Sequence, residues 1–278
     1  MERVDIKEVV RERYGRIAGD RAGGSCCGSG ESGQSRRGAE PTGHSCCGEP
    51  SASGGGISYS MIGDAYDSVE GHESEADLGL GCGLPTQHAA LQAGEVVVDL
   101  GSGAGNDAFI ARHHVGDAGR VIGVDMTPEM VERARSIARE RGYTNVEFVS
   151  GDIESMPIAA GTADIVVSNC TLNLVPDKAL AFSEMFRITK PGGRFSISDI
   201  VTDGVLPEAI RESAEAYVGC VAGALDREVY LRLLEDAGFV DIGVQAEREI
   251  ALPGGLRETA GEAGARVLSV TVGGRRPG

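Results

Sequence analysis

Seven cysteines are the residues of this sequence with the clearest capacity for chemistry. Cys170 ends a predicted buried strand in the stretch SNCTLNL, Cys82 lies on a glycine-flanked loop before the first predicted strand, and Cys220 lies in a predicted helical stretch. An isolated buried cysteine is usually an inert small hydrophobic residue. Three thiols that meet at one place would instead make a site for a soft metal or metalloid. The function therefore depends on the elements that position these three cysteines.

The other four cysteines form two doublets, Cys26 with Cys27 and Cys46 with Cys47. They lie between about residues 19 and 56, where Gly, Ser and small polar residues dominate and too little apolar surface is present for independent folding. We predict a flexible Cys/Gly/Ser-rich N-terminal segment that follows a short amphipathic helix over residues 5–17. Zinc sites favour close pairs such as C-x-x-C, which the sequence lacks, so the doublets do not predict a structural zinc site.

The composition argues against two classes of partner. Asp and Glu number 42 against 26 Lys and Arg, so the net charge is −16 and a basic surface for nucleic acid is not expected. No apolar run approaches the ~20 residues that span a bilayer, and the charged N-terminus lacks the apolar core of a signal peptide. We therefore predict a cytoplasmic protein with neither a nucleic-acid nor a membrane partner. In that reducing compartment an odd number of cysteines favours reactive or ligating thiols over a disulfide framework.

Strand and helix patterns alternate along the middle of the chain, which predicts a doubly wound, mostly parallel α/β sheet. One intervening helix is expected to begin with Thr127 as N-cap and Pro128 at its first position. After Asp199 the pattern predicts helices and then an antiparallel strand pair, which together form a C-terminal α+β extension. The predicted parallel strands are residues 96–100, 121–124, 146–149, 165–167 and 195–197.

A glycine-rich turn follows the first predicted strand in the stretch VVVDLGSGAG. Gly101, Gly103 and Gly105 let the backbone approach a ligand at the carboxyl edge of the sheet, where open α/β folds bind their ligands. Asp125 ends the next strand and is placed to accept hydrogen bonds from the two hydroxyls of a ribose. Asn106 stands where a dinucleotide site has Gly or Ala, so the pattern departs from that class.

Three acidic residues at strand ends indicate which ligand this edge binds. Asp99, Asp125 and Asp152 would repel a pyrophosphate but suit a cationic cofactor. S-adenosylmethionine carries both a sulfonium and an ammonium group, so we predict a site for it. The predicted cofactor-binding residues are Asp99, Gly101, Ser102, Gly103, Gly105, Asp125, Met126, Asp152, Ile153 and Asn169.

The chain closely resembles the arsenite S-adenosylmethionine methyltransferases, particularly their bacterial members, from about residue 8 to 247. Many methyltransferases share the glycine loop, but GCG, SNC and GCVAGAL together are specific to this family. The matching stretches are DLGLGCG, VDLGSGAG, VIGVDMTPEM, VSNCTLNLVPDK, KPGGRFSISDI and GCVAGAL, with VRERYG and the cysteine doublets upstream.

The resemblance implies a Rossmann-like class I methyltransferase fold and a set of arsenic ligands. Cys82, Cys170 and Cys220 would bind trivalent arsenic, with arsenite and methylated trivalent arsenicals as substrates. The chain departs from the family at Thr171, where relatives usually have Val, which predicts a packing change.

The resemblance also implies that a cysteine of an N-terminal doublet takes part in a redox cycle, with glutathione or thioredoxin as the thiol reductant. By their distance from Cys82, the matching residues are Cys46 and Cys47. The additional doublet leaves two candidates for the redox partner. The implied domains are an N-terminal segment (1–70), a cofactor-binding methyltransferase domain (71–200) and an extension that completes the arsenic site (201–278).

Two other functions are compatible with parts of the pattern. A methyltransferase for a carbon or oxygen of a quinone-like or sterol-like acceptor would need a large apolar pocket, but aromatic residues make up 4% of the chain and Trp is absent. A non-catalytic thiol protein could bind zinc or a metalloid and merely retain the fold. Turnover separates such a binding protein from an enzyme. A methyltransferase for a quinone-like or sterol-like acceptor usually needs a general base, whereas positioning alone can drive methyl transfer to a thiolate-bound arsenic.

Overall fold

A computed structural model describes residues 6–20, 66–208, 221, 223–250 and 264–278. Within these residues one mixed sheet has the strand order β3-β2-β1-β4-β5-β8-β7, and β6 pairs with β5 off this path. Both cysteine doublets, the predicted flexible segment and Cys220 lie outside the described residues. The strands are β1 (Val96–Leu100), β2 (Arg120–Asp125), β3 (Val146–Ser150), β4 (Ala163–Asn169), β5 (Thr189–Asp203), β6 (Leu225–Asp226), β7 (Val240–Glu249) and β8 (Arg266–Arg275).

The predicted doubly wound α/β fold is confirmed, with its parallel strands and its closing antiparallel pair. Strands β1 to β5 run parallel to one another, whereas β8 is antiparallel to both β5 and β7. The parallel strands read as nearly continuous apolar runs because helices cover both of their faces. Their carboxyl ends lie at one edge of the sheet, where the predicted cofactor residues are concentrated.

Helices α2 to α6 flank this sheet, and α4 begins where the sequence predicts. Thr127 is the N-cap of α4 and Pro128 its first residue, although the Thr127 side chain makes no capping hydrogen bond. Helix α5 ends at Ile188, before the stretch KPGG. The helices are α1 (Ile6–Asp20), α2 (Pro85–His88), α3 (Asn106–Val115), α4 (Pro128–Glu140), α5 (Lys178–Ile188) and α6 (Arg227–Asp236).

Two hydrophobic clusters lie on opposite faces of the sheet because strand side chains alternate. On β1, Val97 packs in the cluster beneath α3 and α4, whereas Val98 packs in the cluster beneath α5 and α6. Phe182 and Tyr230 meet edge to face in the second cluster, with ring centroids 5.3 Å apart. These packed layers hold the strand ends in fixed positions.

A third cluster lies at the carboxyl edge, and it contains both described cysteines. Cys82 and Cys170 pack there with Val10 of α1, Leu174, and Val221 of the C-terminal extension. Strand β5 crosses the predicted domain boundary at residue 200, and the division into three domains stays a prediction. None of the described helices is long and apolar enough to cross a membrane.

Candidate active site

An open cavity lies at the carboxyl edge of the parallel strands. Nine of the ten predicted cofactor residues line it, whereas Gly105 lies behind the wall as the N-cap of α3. Cys170 also lines this cavity. The structure therefore brings the predicted cofactor site and one predicted arsenic ligand into one space.

The glycine loop owes its path to two positions where a side chain cannot be accommodated. Gly101 has a φ of +65°, and a Cβ atom there would lie 2.2 Å from the Thr171 side chain. Gly105 has a φ of +99°, and its Cβ would lie 2.8 Å from both Phe109 and Phe148. The loop can therefore lie close to the strand ends only because these residues are glycines.

Asp125 has a second role that the sequence did not predict. Its carboxylate accepts hydrogen bonds from the backbone N–H groups of Gly103, at 2.9 Å, and Thr127, at 2.8 Å. A carboxylate has about four acceptor positions, so after these bonds and a bond from the Thr127 side chain one remains for a ribose hydroxyl. Burial raises the pKa of Asp125, although these two backbone donors oppose that shift.

The chemistry of the cavity wall fits S-adenosylmethionine. Four buried polar atoms in this wall have no hydrogen-bond partner among the described residues: Asp99 Oδ2, Ser102 Oγ, Asn106 Oδ1 and Asp107 Oδ1. Burial, together with the charges of Asp107 and Asp125, raises the pKa of Asp99 well above its usual range. An ammonium group and hydroxyls would satisfy these acceptors and offset the repulsion between the acids.

Helix α1 lies across the cavity, a position that its amphipathic pattern did not reveal. Lys7, Val10 and Tyr14 line the cavity from this helix. The Lys7 ammonium contacts Asp152 at 2.6 Å and also Glu154. Burial raises the pKa of Asp152, but the bonds from Lys7 and from the Glu154 N–H, with the charges of Lys7 and Arg11, together outweigh burial, and the net shift is downward. The third predicted acid thus pairs with a helix 145 residues away in the sequence.

A buried polar network links the cofactor wall to the Cys82 loop. Asn169 Nδ2 donates to Gly83 O at 2.8 Å and to Asp107 Oδ2 at 3.0 Å, and it also contacts the Tyr66 hydroxyl. The Tyr66 hydroxyl contacts Asp107 Oδ2 at 3.0 Å. Burial raises the pKa of Asp107 to about 6, despite its bonds from Asn169 and Tyr66.

The sequence analysis missed Tyr66 and Asp107 as residues of the site. Asp107 follows the glycine loop at the start of α3, and this position was the available signal for it. Tyr66 carries no comparable signal, since it precedes every predicted element of the sheet.

Cys82 and Cys170 lie side by side beneath this network. The Cys82 backbone N–H donates to Asn169 Oδ1 at 2.9 Å, and the Cys170 N–H donates to Ser198 O at 2.8 Å. The Ser269 hydroxyl of β8 donates to the Cys82 carbonyl. Cys82 is fully buried and Cys170 is 3% exposed. Hydrogen bonds between the backbone of these two cysteines and residues of the sheet therefore hold both thiols in place.

Asp199 lies beside the two thiols, although it was not predicted from the sequence as a residue of the site. One carboxylate oxygen of Asp199 and the two Sγ atoms all lie within 4.8 Å of one another. The Tyr230 hydroxyl donates to Asp199 Oδ2 at 3.2 Å. Burial raises the pKa of Asp199 to about 7, although the charge of Lys178 lowers it.

Cys220, the third predicted arsenic ligand, lies outside the described residues. The next residue, Val221, is 1% exposed and packs in the cluster that contains Cys82 and Cys170. The chain next to Cys220 therefore reaches the two described thiols. Cys46 and Cys47 also lie outside the described residues, and their predicted redox role stays a prediction.

The chain is similar to known methyltransferases. A family model described as a methyltransferase domain matches residues 91–238. An arsenite methyltransferase of Halobacterium salinarum is 37% identical over 98% of this chain and 67% of its own length. The arsenite methyltransferase of Homo sapiens is 37% identical over 60% of this chain and 47% of its own length.

A solved structure shows the same fold. The crystal structure of an arsenic (III) S-adenosylmethionine methyltransferase from Chlamydomonas reinhardtii is 39% identical, with a TM-score of 0.64, and the match covers 69% of this chain and 66% of that chain. This chain thus spans between about half and two thirds of the length of these relatives.

Proposed function

Because the chain belongs to the arsenite methyltransferase family, we propose that it transfers a methyl group from S-adenosylmethionine to trivalent arsenic held by Cys82, Cys170 and Cys220. One observation carries the proposal more than any other. Two buried thiols lie together at the carboxyl edge, and one of them lines the cavity that fits the cofactor. An ordinary methyltransferase fold has no need of a thiol pair at this place.

The thiols suit arsenic because arsenic(III) is soft and prefers thiolate ligands. Arsenite exchanges its hydroxyls for thiolates, and each hydroxyl leaves as water with the proton of a thiol. Three bonds leave arsenic pyramidal, with a lone pair opposite them. The backbone bonds of Cys82 and Cys170 hold two of its ligands in place, so the direction of the lone pair is fixed before the reaction.

The cofactor residues hold the other reactant at the same edge. When bound, S-adenosylmethionine supplies a methyl group on a sulfonium centre. The methyl carbon can accept an electron pair without a general base. Asp125 would accept a bond from its ribose, and Asp99 would face its cationic methionine end. Helix α1 would exclude water from this side through Val10 and Tyr14.

The test is turnover by the purified chain with arsenite, S-adenosylmethionine and a thiol reductant, followed by chromatography of the arsenic species. We expect methylated arsenic from the native chain and a rate lower by more than about 100-fold in Cys170→Ser, because even an outer-shell partner of a metal contributes about 10–100-fold. Thr171→Val is the matched control, since it removes a neighbouring hydroxyl and keeps the side-chain volume. Native-rate methylation by a folded Cys170→Ser variant would overturn the thiolate site.

We also propose that a thiol reductant of the glutathione or thioredoxin class acts as co-substrate. Transfer of a methyl cation to arsenic(III) raises its formal oxidation state by two, so return to the trivalent state needs two electrons. Oxidation of two thiols to a disulfide supplies both electrons. A reducing cytoplasm, the location predicted from the sequence, would provide such thiols.

Cys46 and Cys47 are the proposed thiols of the chain in this cycle. Replacement of both by Ser should slow repeated turnovers several-fold more than the first turnover, because the first methyl transfer needs no reduction. Rapid-quench measurements of the first turnover, compared with steady-state rates, test this expectation. The pair Cys26→Ser and Cys27→Ser is the matched control. Equal losses in the two measurements would place the doublet in substrate binding or folding instead.

A further inference from the structure

We propose that Cys82, Cys170 and Asp199 form a site for a thiophilic divalent cation such as Zn²⁺ or Cd²⁺, and that this cation competes with arsenic(III). The three residues offer two sulfur atoms and one oxygen atom, all within 4.8 Å of one another. All three side chains are buried, with Asp199 1% exposed. The inference goes beyond arsenic methylation, since Asp199 has no part in a three-thiolate arsenic site.

The spacing of the ligand atoms suits a tetrahedral cation. Zinc bonds of about 2.3 Å to sulfur and 2.0–2.2 Å to oxygen put neighbouring ligand atoms about 3.6–3.8 Å apart. The observed limit of 4.8 Å therefore requires a contraction of at most about 1.2 Å. Rotation of the cysteine side chains can supply this movement without a change in the sheet.

The surroundings of Asp199 resemble the support that metal-binding carboxylates receive. Its Oδ2 atom accepts a bond from the Tyr230 hydroxyl at 3.2 Å, and Oδ1 accepts from the Ile200 N–H at 3.0 Å. Such outer partners fix the orientation of a ligand. The charge of Lys178 partly balances this buried carboxylate, and a divalent cation bound between it and the two thiols would add to that balance.

Asp199 is the residue that should distinguish the two kinds of ligand. Arsenic(III) forms three bonds and prefers thiolates, so it has no need of the carboxylate. A divalent cation takes four ligands and accepts oxygen among them. Binding of the cation would occupy Cys82 and Cys170 and thereby exclude arsenic.

The experiment measures Cd²⁺ binding to the full-length chain through the thiolate-to-metal charge-transfer absorption in the ultraviolet, without S-adenosylmethionine. The cysteines of both doublets are replaced by Ser so that they do not bind the probe. We expect one Cd²⁺ per chain and an affinity lower by about 10–100-fold or more in Asp199→Asn. Arsenite binding, followed by the same absorption method, should change far less. Asp203→Asn is the matched control, because Asp203 lies on the same strand and pairs with Arg266 at the surface.

Three results would overturn the proposal: no charge-transfer absorption, equal Cd²⁺ affinity in Asp199→Asn, or equal losses of Cd²⁺ and arsenite binding. If Asp199→Asn fails to fold, the proposal can still be tested on the protein that retains Asp199. X-ray absorption should then show sulfur and oxygen around Cd²⁺, and arsenite should displace the cation one for one. A shell of sulfur alone, or Cd²⁺ binding unaffected by arsenite, would overturn it. Arsenic methylation is measured separately by turnover, so a failure of the cation site is distinguishable from a failure of the proposed function.

Discussion

Cys170 occupies a backbone conformation that few residues with a side chain adopt. Its φ is +56°, in the left-handed region that costs a residue with a Cβ atom roughly 1–2 kcal/mol. The cost is offset by the hydrogen bond from its N–H to Ser198 O and by burial of its side chain. Strain of this kind is concentrated at functional sites. The left-handed residue lets the chain turn at the end of β4, so that the thiol lines the cavity.

Asp125 shows how one carboxylate can serve both a loop and a ligand. We expect Asp125→Ala to lower S-adenosylmethionine affinity at least about tenfold, because each charge-assisted hydrogen bond contributes ~1.5–3 kcal/mol. The substitution also removes the acceptor for the Gly103 N–H, so the glycine loop should loosen. Arsenite binding should be nearly unchanged. Calorimetric titration of each ligand tests this, with the exposed Asp117→Ala as control; unchanged cofactor affinity would mean that Asp125 serves only the loop.

At the scale of elements, α1 is the one described helix that covers the cavity without belonging to the layers of the sheet. Besides its ion pair from Lys7, it is held by the Arg133 guanidinium, which donates to Ala18 O at 3.1 Å. Its cavity-lining residues include Val10 and Tyr14. A ligand in this cavity would therefore be enclosed by α1 on one side and the strand ends on the other.

Lys7 should control how fast the cofactor leaves. We expect Lys7→Met to speed release of S-adenosylmethionine about 2–5-fold, since a partly exposed ion pair contributes up to ~1 kcal/mol. High salt should produce much of the same effect in the native chain, because it screens the pair. Stopped-flow displacement measures the release rate. Arg16→Met, an exposed site on the same helix, is the control. If Lys7→Met and Arg16→Met release the cofactor equally fast, the ion pairs of Lys7 do not hold α1 closed.

At the scale of the whole molecule, buried carboxyl groups with a raised pKa make the stability depend on pH; these are Asp99, Asp107, Asp125 and Asp199. The pKa of Asp199 is raised to about 7 and that of Asp107 to about 6, against an ordinary value of 3.8. Between 3.8 and about 7 the folded chain retains protons that the unfolded chain has lost. The free energy of unfolding should therefore fall as pH rises through this window.

The substitution Asp199→Asn should reduce the fall in the free energy of unfolding at the upper end of this pH window. The variant should be less stable or equal at acidic pH and more stable than the native chain above pH 7, because the amide never carries the buried charge. Denaturant unfolding at a series of pH values measures the effect. Asp203→Asn should retain the native slope between 3.8 and about 7. An unchanged slope in Asp199→Asn would show that Lys178 and the Tyr230 hydroxyl keep the carboxylate ionised.

Local patterns predicted much of this molecule and failed where contacts span the sequence. The strands, the glycine loop and the cavity residues around Asp125 follow from periodicity and from the shared carboxyl edge of parallel strands. Lys7 was not predicted to contact Asp152, because an amphipathic helix shows which face is buried but not what covers it. Asp199 was missed because the predicted strand ends at residue 197, whereas β5 continues to Asp203 and buries Asp199 within it.

The hydrogen bond from Ser269 to the Cys82 carbonyl joins residues 187 positions apart, and β8 inserts between β5 and β7. Translation at about 5–20 residues per second separates the synthesis of these two residues by roughly 10–40 s. During that interval a nascent chain has its Cys82 loop without the strand that fastens it. The site would thus be completed late in biogenesis, and newly made chains should be the most vulnerable to oxidants and thiol-reactive metals. The Cys82 thiol should accordingly be alkylated faster in newly made, pulse-labelled chains than in mature chains.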